Sequence, residues 1–417
     1  MNFRRRFRLN DSRSRVPLAM IAVTMLGLVG CGKVPTWDEM TATPPTPTPV
    51  QTVQSDPPAV APGQPVTVPA AVPKEDPAQV LAWFKSLLPI QINDQALSRL
   101  TAIDVGLDSI TDIDAKGGGV TNIGLAMLSK LPTLQKLILD GTPVTDEGMK
   151  ALQRVPSLQS LSMNGTRISA GGLASLAALP GLKRMELMGC DLTQADFAAI
   201  GRLPALESLV LNRVLELNDA GLELICEART LKSLQMNECV GLTDKGLISL
   251  AKIPQLQELS LNKSVITGVG LGAAASKGGL KSLKVLAVAA VPISLPGAKA
   301  INSLKTLESL DIGYIPGMND LFFVEFVEGL KHLKSLNIEG SKGVFGAGFA
   351  KFKATTNSLE TLAAKDAGLT DQGLAQLKGH KKLKFIDLTN TPVTVIAVQQ
   401  FKKLVPNCEI LHAGVRY

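Results

Sequence analysis

One spacing governs this chain. The phrase apolar-x-x-apolar-x-apolar begins at Ile110, Leu134, Leu158, Leu182, Leu206, Leu231, Leu256, Leu283, Leu307, Leu333, Leu359 and Leu383, in steps of 24 to 27 residues. The units opened by these twelve residues are repeats 1 to 12. A unit of this length is one supersecondary element that cannot bury its apolar face alone. Successive units must stack and share a continuous core. The 417 residues would otherwise suffice for two or three ordinary domains, and the repeats replace that reading with one extended array. Aromatic residues make up only 4 % of the chain, which suits a thin repetitive core better than a globular enzyme core.

Within a unit the period is two. In Leu134-Gln135-Lys136-Leu137-Ile138-Leu139, the residues Leu137 and Leu139 point inward while Lys136 and Ile138 point out. A second phrase follows: Val144-Thr145-Asp146-Glu147-Gly148-Met149 returns as Leu242-Thr243-Asp244-Lys245-Gly246-Leu247 and Leu369-Thr370-Asp371-Gln372-Gly373-Leu374. Threonine is a fair N-cap, and an acid in the first turn suits the helix dipole. Each unit is therefore expected to be a strand, a turn and a short helix. Parallel strands line the concave face of a horseshoe, and helices form the convex face.

The Thr-Asp-x-Gly-Leu phrase, with Thr or Cys eight residues after the strand start (Thr142, Thr166, Cys190, Cys239, Thr391), resembles the cysteine-containing subclass of leucine-rich repeats. That resemblance implies an α/β leucine-rich repeat solenoid over about Ile110 to Ile410. The ending Leu404-Val405-Pro406-Asn407-Cys408-Glu409-Ile410 resembles the closing unit of bacterial members. Val291 and Ile315 replace the Thr or Cys, and the unit after Leu182 lacks Thr-Asp-x-Gly, so irregular turns are expected there. The resemblance carries no ligand with it, because a solenoid is a surface generator.

The flanking segments place the array. Arg4 to Arg15 is a basic stretch, and Val16 to Gly30 is a short apolar run broken by Thr24. This is the shape of a secretory signal peptide, residues 1–30, too short for a comfortable membrane span. Leu28-Val29-Gly30-Cys31 resembles the lipobox of bacterial lipoproteins. The resemblance implies lipidation of Cys31 as the first mature residue, and Gly32 after it implies the outer membrane rather than the inner. Arg4-Arg5-Arg6-Phe7 resembles a twin-arginine export signal, with Arg8 in place of the usual apolar residue, so the export route stays open. Residues 31–75 are a tether: Pro35 to Pro77 carries twelve prolines, which suppress helix and sheet. Extended, it reaches on the order of 100 Å. Asp76-Pro77 reads as an N-cap and first helical residue, opening a helical cap over 76–109 with Trp83 as a wedge into the first core edge. The repeats run over 110–407, and 408–417 close them.

Charge argues against nucleic acid. The net charge is +7, but the first thirty residues hold six Arg and one Asp, leaving 37 basic against 35 acidic residues in the remainder. No catalytic or cofactor motif appears. Cys190 and Cys239 hold equivalent positions two strands apart, near 10 Å by a strand spacing of about 4.8 Å, which is too far for a disulfide. His332, His380 and His412 match no zinc spacing and are read as lone surface side chains. Gly268 to Gly272 and Gly343 to Gly348 fall at repeat turns and lack the context of a phosphate loop. Phe322, Phe323, Phe326, Phe345, Phe349 and Phe352 cluster in the outer layer, where core filling competes with an exposed docking patch.

The concave face is left as the candidate site. It shows the third, fifth and seventh residues of each unit. Its charged members are Asp112, Asp114, Lys116, Lys136, Asp140, Arg184, Glu186, Glu258, Asp311, Glu339, Lys365 and Asp387, eight acids against four bases. Asn212, Asn237 and Asn262 hold one position on three successive strands. One reading is a solvated sheet with hydrogen bonds between strands. The other is a mildly acidic groove for a protein partner. The expected function is a non-enzymatic, lipid-anchored protein-interaction module of the cell envelope, without cofactor or metal. The alternative is an envelope-structural protein that binds polysaccharide or peptidoglycan, which would want aromatic platforms that this face largely lacks.

Overall fold

The computed structural model describes residues 76–102, 106–355 and 358–417. The leader, Cys31 and the proline-rich segment lie outside the described residues. Fourteen strands form one open sheet in strictly sequential order, as expected of a solenoid. Each repeat contributes its third to fifth residues, from Asp112–Asp114 in repeat 1 to Phe385–Asp387 in repeat 12. Neighbours pair in parallel with equivalent positions side by side, Leu137 against Leu161 and Leu310 against Leu336. Leu137 and Leu139 are buried and Lys136 is exposed, as the period-two pattern requires. The thirteenth strand, Glu409–His412, continues the ladder, and Val415–Arg416 folds back antiparallel on it through a turn with positive φ at Ala413 and Gly414. This hairpin covers the last strand edge.

The turn after each strand is built by the ninth residue. Thr142 and Thr166 donate their hydroxyls to the carbonyls of Leu139 and Met163, both at 2.6 Å. Cys190 and Cys239 reach back one repeat instead, to the carbonyls of Met163 at 3.4 Å and Leu211 at 3.2 Å. At Val291 the expected irregularity occurs, since Ile293 N donates to Val291 O at 2.8 Å, a bond without counterpart in the Thr142 and Thr166 turns; Ile315 keeps the regular path. Both side chains fill the same buried slot, and the strands on either side keep register. The unit after Leu182 also forms its helix, Gln194–Gly201, because Asp196 accepts from the backbone and hydroxyl of Thr193 as a capping box.

The recurrent Thr-Asp-x-Gly phrase does more than cap a helix. Its aspartate clasps the next repeat. Asp219, in the variant Asn218-Asp219-Ala220-Gly221, accepts from Thr243 N and Oγ1 at 2.8 and 2.6 Å. Asp244 accepts from Thr267 N and Oγ1, and from Gly270 N, all at 2.8 Å. Asp371 does the same to Thr394. The glycine is required because the previous repeat's clasp lies against it. A Cβ on Gly148 would sit 2.6 Å from Asn122 Oδ1, and one on Gly172 would sit 2.5 Å from Asp146 Oδ1.

At the N-terminal end, the helix Pro77–Lys85 is capped by Asp76 and the helix Asp94–Thr101 by Asn93. Phe84 and Val80 are the buried residues of the first helix, so Phe84 takes the wedge role expected of Trp83. Trp83 is only half-buried, with the Arg99 guanidinium 4.2 Å above its ring. Core filling holds for Phe323, Phe326, Phe349 and Phe352, all buried, with the rings of Phe323 and Phe349 5.0 Å apart; Phe345 is exposed. The surface reading of the histidines fails twice. His380 is 1 % exposed and lies against Phe352 at 5.5 Å, in a slot that most other repeats fill with leucine. His412 is buried with Nε2 2.8 Å from Val393 O. Only His332 is exposed.

The clasp yields a prediction. Asp244→Ala removes three hydrogen bonds from the next repeat and should cost about 2 kcal/mol. The urea midpoint should fall clearly. Glu147→Ala, an exposed first-turn acid paired only with Lys150, should change it by a few tenths of a kcal/mol.

Candidate binding surface

The solvent face of the sheet carries every candidate residue, but the structure divides them into two groups. Those at the seventh position other than Glu339, and Asp387 at a fifth position, are bound to the sheet itself. Asn212 Oδ1 accepts from Asn237 N at 2.9 Å, Asn237 Oδ1 from Asn262 N at 2.8 Å, and Asn262 Oδ1 from Ala289 N at 2.7 Å. Asp140 accepts from Asn164 N at 3.0 Å and from Ser162 Oγ at 2.5 Å. Asp387 accepts from Thr389 N at 2.8 Å. These side chains satisfy backbone donors where the strands end.

Most of the other third- and fifth-position charges stand further out. Asp112, Asp114, Arg184 and Glu186 are exposed. Glu258 accepts from Ser233 Oγ at 3.0 Å. Arg184, Glu258 and the residues between them line a shallow basin of about 250 Å³. Glu339, at a seventh position, binds Tyr314 Oη at 3.0 Å and Lys365 Nζ at 3.4 Å. Beside it, burial raises the Asp311 carboxyl above its ordinary range; the Gly313 N–H opposes this and the Glu339 charge adds to it.

Two features escaped the reading of the sequence. The second position of the later repeats alternates in sign. Glu207 lies between Lys183 at 3.7 Å and Lys232 at 2.9 Å, and Glu308 between Lys284 at 3.4 Å and Lys334 at 2.6 Å. Glu360 meets Lys384 at 2.5 Å. Hydrogen bonds from the lysines hold all three glutamates below the ordinary carboxylate range. The alternation was visible in the sequence, but the second residue had been assigned to neither face.

The second feature is a rim at the C-terminal ends of the strands. The eighth residue of each repeat has positive φ, because its N–H must reach a seventh-position carbonyl of the next repeat, as Arg213 N does to Asn237 O at 2.8 Å. Repeats 1 to 4 use glycine there: Gly117, Gly141, Gly165 and Gly189. Repeats 5 to 9 use Arg213, Glu238, Lys263, Ala290 and Tyr314, although a left-handed conformation is unfavourable for side chains with a Cβ. Two residues later the same repeats expose Leu215, Val240, Val265, Pro292 and Pro316, one apolar residue per repeat at one position. Leu215, Val240 and Val265 are 63 %, 55 % and 54 % exposed, and Tyr314 is 51 % exposed. The 25-residue spacing of the first three was the available signal.

Other chemistry is sparse. Cys190, Cys226, Cys239 and Cys408 are buried free thiols. Burial pushes the thiols of Cys226 up to about 12 and of Cys239 and Cys408 up to about 11, so they stay protonated. Among the described residues no group of three His, Cys, Asp or Glu could hold a metal ion, and no helix is long and apolar enough to cross a membrane.

Asp311 gives a test of the electrostatics. Its raised folded value means that ionisation costs the folded state at neutral pH. Asp311→Asn should therefore raise the urea midpoint at pH 7. The gain should shrink as pH falls, and vanish near pH 3, where the aspartate is protonated folded and unfolded alike (ordinary value about 3.9).

The repeat pattern matches a known family model in two places. A family model described as Leucine Rich repeat matches residues 130–152 and 227–251. Among solved structures, an internalin from Listeria monocytogenes is 16 % identical, with 82 % of this chain and 95 % of that chain covered and a TM-score of 0.49. No curated protein matches the chain. Leucine-rich repeats are thus matched at residues 130–152 and 227–251, within one open sheet whose strands are parallel as far as Glu409–His412.

Proposed function

We propose that this chain is a non-enzymatic protein-interaction module of the bacterial cell envelope. A lipid on Cys31 anchors it at the membrane, the outer one by the residue that follows, and residues 31–75 give it reach. The observation that carries the reading is the apolar stripe Leu215, Val240, Val265, Pro292 and Pro316 beside Tyr314, along the border of the sheet face. An ordered exposed apolar row is unfavourable in water unless something covers it. Tyr314 supplies an aromatic anchor whose hydroxyl is already held by Glu339. The stripe spans roughly 20 Å at about 4.8 Å per strand, and the sheet face beside it is long enough for about 800 Å² of contact per side. The partner is a folded protein seated on the rim, with its edge over the sheet face. There Glu258, Asp311 and Glu339 present the acidic side of the site.

Affinity capture from an envelope extract with the full chain as bait tests this. Val240→Asp, Val265→Asp and Tyr314→Ala together should weaken capture of the partner at least about tenfold. Glu258→Lys with Glu339→Lys should weaken it less. A partner retained equally by both altered baits sinks the reading, and retention on cell-wall material without any protein would favour the envelope-structural role. Anchoring has its own check: Cys31→Ser should move the protein from the detergent phase to the aqueous phase on partition.

A further inference from the structure

We propose that the opposite rim, at the N-terminal ends of the strands in repeats 8 to 12, is a contact surface for an anionic phospholipid bilayer. The inference starts from one position, two residues before each repeat begins. Repeats 2 to 5 and repeat 7 place proline there: Pro132, Pro156, Pro180, Pro204 and Pro254. Repeats 8, 9, 10 and 12 place lysine: Lys281, Lys305, Lys331 and Lys381, all exposed. At about 4.8 Å per strand the row is roughly 20 Å long. It belongs to a wider asymmetry. Residues 76–255 hold 16 Lys and Arg against 19 Asp and Glu, and residues 256–417 hold 19 against 12.

The row is not neutralised by its neighbours in the sheet. Glu308 and Glu360, the nearby second-position carboxylates, are held by Lys284, Lys334 and Lys384. Glu328, at the end of the helix Asp320–Val327, is the acid within the row. Helix C-termini also favour cations, and Lys305 does donate to Asn302 O at 2.7 Å. That does not account for the row, since repeats 2 to 5 and 7 follow helices that end on the same rim with proline at this position. Lys305, Gly329, Lys331 and His332 surround an open depression of about 310 Å³, where an anionic headgroup can approach several donors.

The residue type selects the ligand. Within repeats 8 to 12 every cation at this position is lysine, a hydrated point charge suited to a diffuse anionic plane; the one arginine at the position, Arg229 of repeat 6, lies outside the row and faces Glu227 at 3.8 Å, and bidentate recognition of individual phosphates favours arginine. No Phe, Tyr or Trp stands at this position to stack bases, as single-stranded nucleic acid would need. Lysines close to an anionic leaflet each add attraction that salt screens. The contact is independent of the lipid on Cys31, and it fails by a different measurement.

The experiment is co-sedimentation of the full chain carrying Cys31→Ser, hence unlipidated. The vesicles are phosphatidylcholine alone or with about 30 mol % phosphatidylglycerol, in about 0.1 M salt. The rim variant carries Lys281→Glu, Lys305→Glu, Lys331→Glu and Lys381→Glu. A control with the same change in net charge carries Lys116→Glu, Lys136→Glu, Arg167→Glu and Lys245→Glu. A milder set, the four rim lysines changed to Gln, guards against a folding defect, with urea midpoints compared throughout. The chain and the control should bind the anionic vesicles alone, more weakly as salt rises. The rim variant should bind at least about tenfold more weakly, and the Gln set in between. Equal loss in rim and control variants would reduce the effect to net charge and overturn the proposal. So would full binding by the rim variant, or binding to an oligonucleotide but not to the vesicles.

Discussion

Every repeat of this chain completes its hydrogen bonding on a neighbour. Strand N–H and C=O groups pair with the next strand, the eighth-residue N–H reaches the next repeat's carbonyl, and aspartates at several helix starts satisfy donors one repeat further on. An isolated unit would leave these groups to water and half its leucines exposed. Stability is therefore a property of interfaces between repeats, close to a sum of nearest-neighbour terms. The two ends are where this scheme must be stopped. Phe84 and the first two helices cover one end, and the Val415–Arg416 hairpin closes the other.

The same dependence decides which side chains are left for function. A solvent-facing asparagine in a sequence looks like a ligand contact. Here Asn212, Asn237 and Asn262 are part of the ladder, each oxygen accepting from the following strand. The second-position ion pairs are a surface counterpart, screened by water and modest in energy. What remains distinctive is at the two rims. One exposes apolar residues and Tyr314 beside strained backbone, and the other displays lysines where earlier repeats have proline. The array thus keeps a uniform core while its edges change character along its length.

The two rims suit different kinds of contact. Apolar residues at one repeated position, with an aromatic anchor, suit a shaped protein surface. A row of exposed lysines suits a flat anionic one. The sheet face between the rims carries the acidic residues that would set a partner's charge.

The period alone determined the solenoid, the parallel strands and the buried leucines, because an apolar pattern repeated every 24 to 27 residues can be buried only by stacking. It also located the helix starts, since Thr-Asp phrases carry their own capping chemistry. It did not reveal that Asp219 or Asp244 bonds to the next repeat, because that partner lies some 23 to 26 residues away. His380 read as a surface residue because its type is usually polar-facing, while its slot was leucine's. The exposure of Leu215, Val240 and Val265 could not be read from hydrophobicity, which by itself argues for burial. Only the tertiary structure decided it, since a positive φ at the eighth residue and a buried ninth residue turn the tenth outward to solvent.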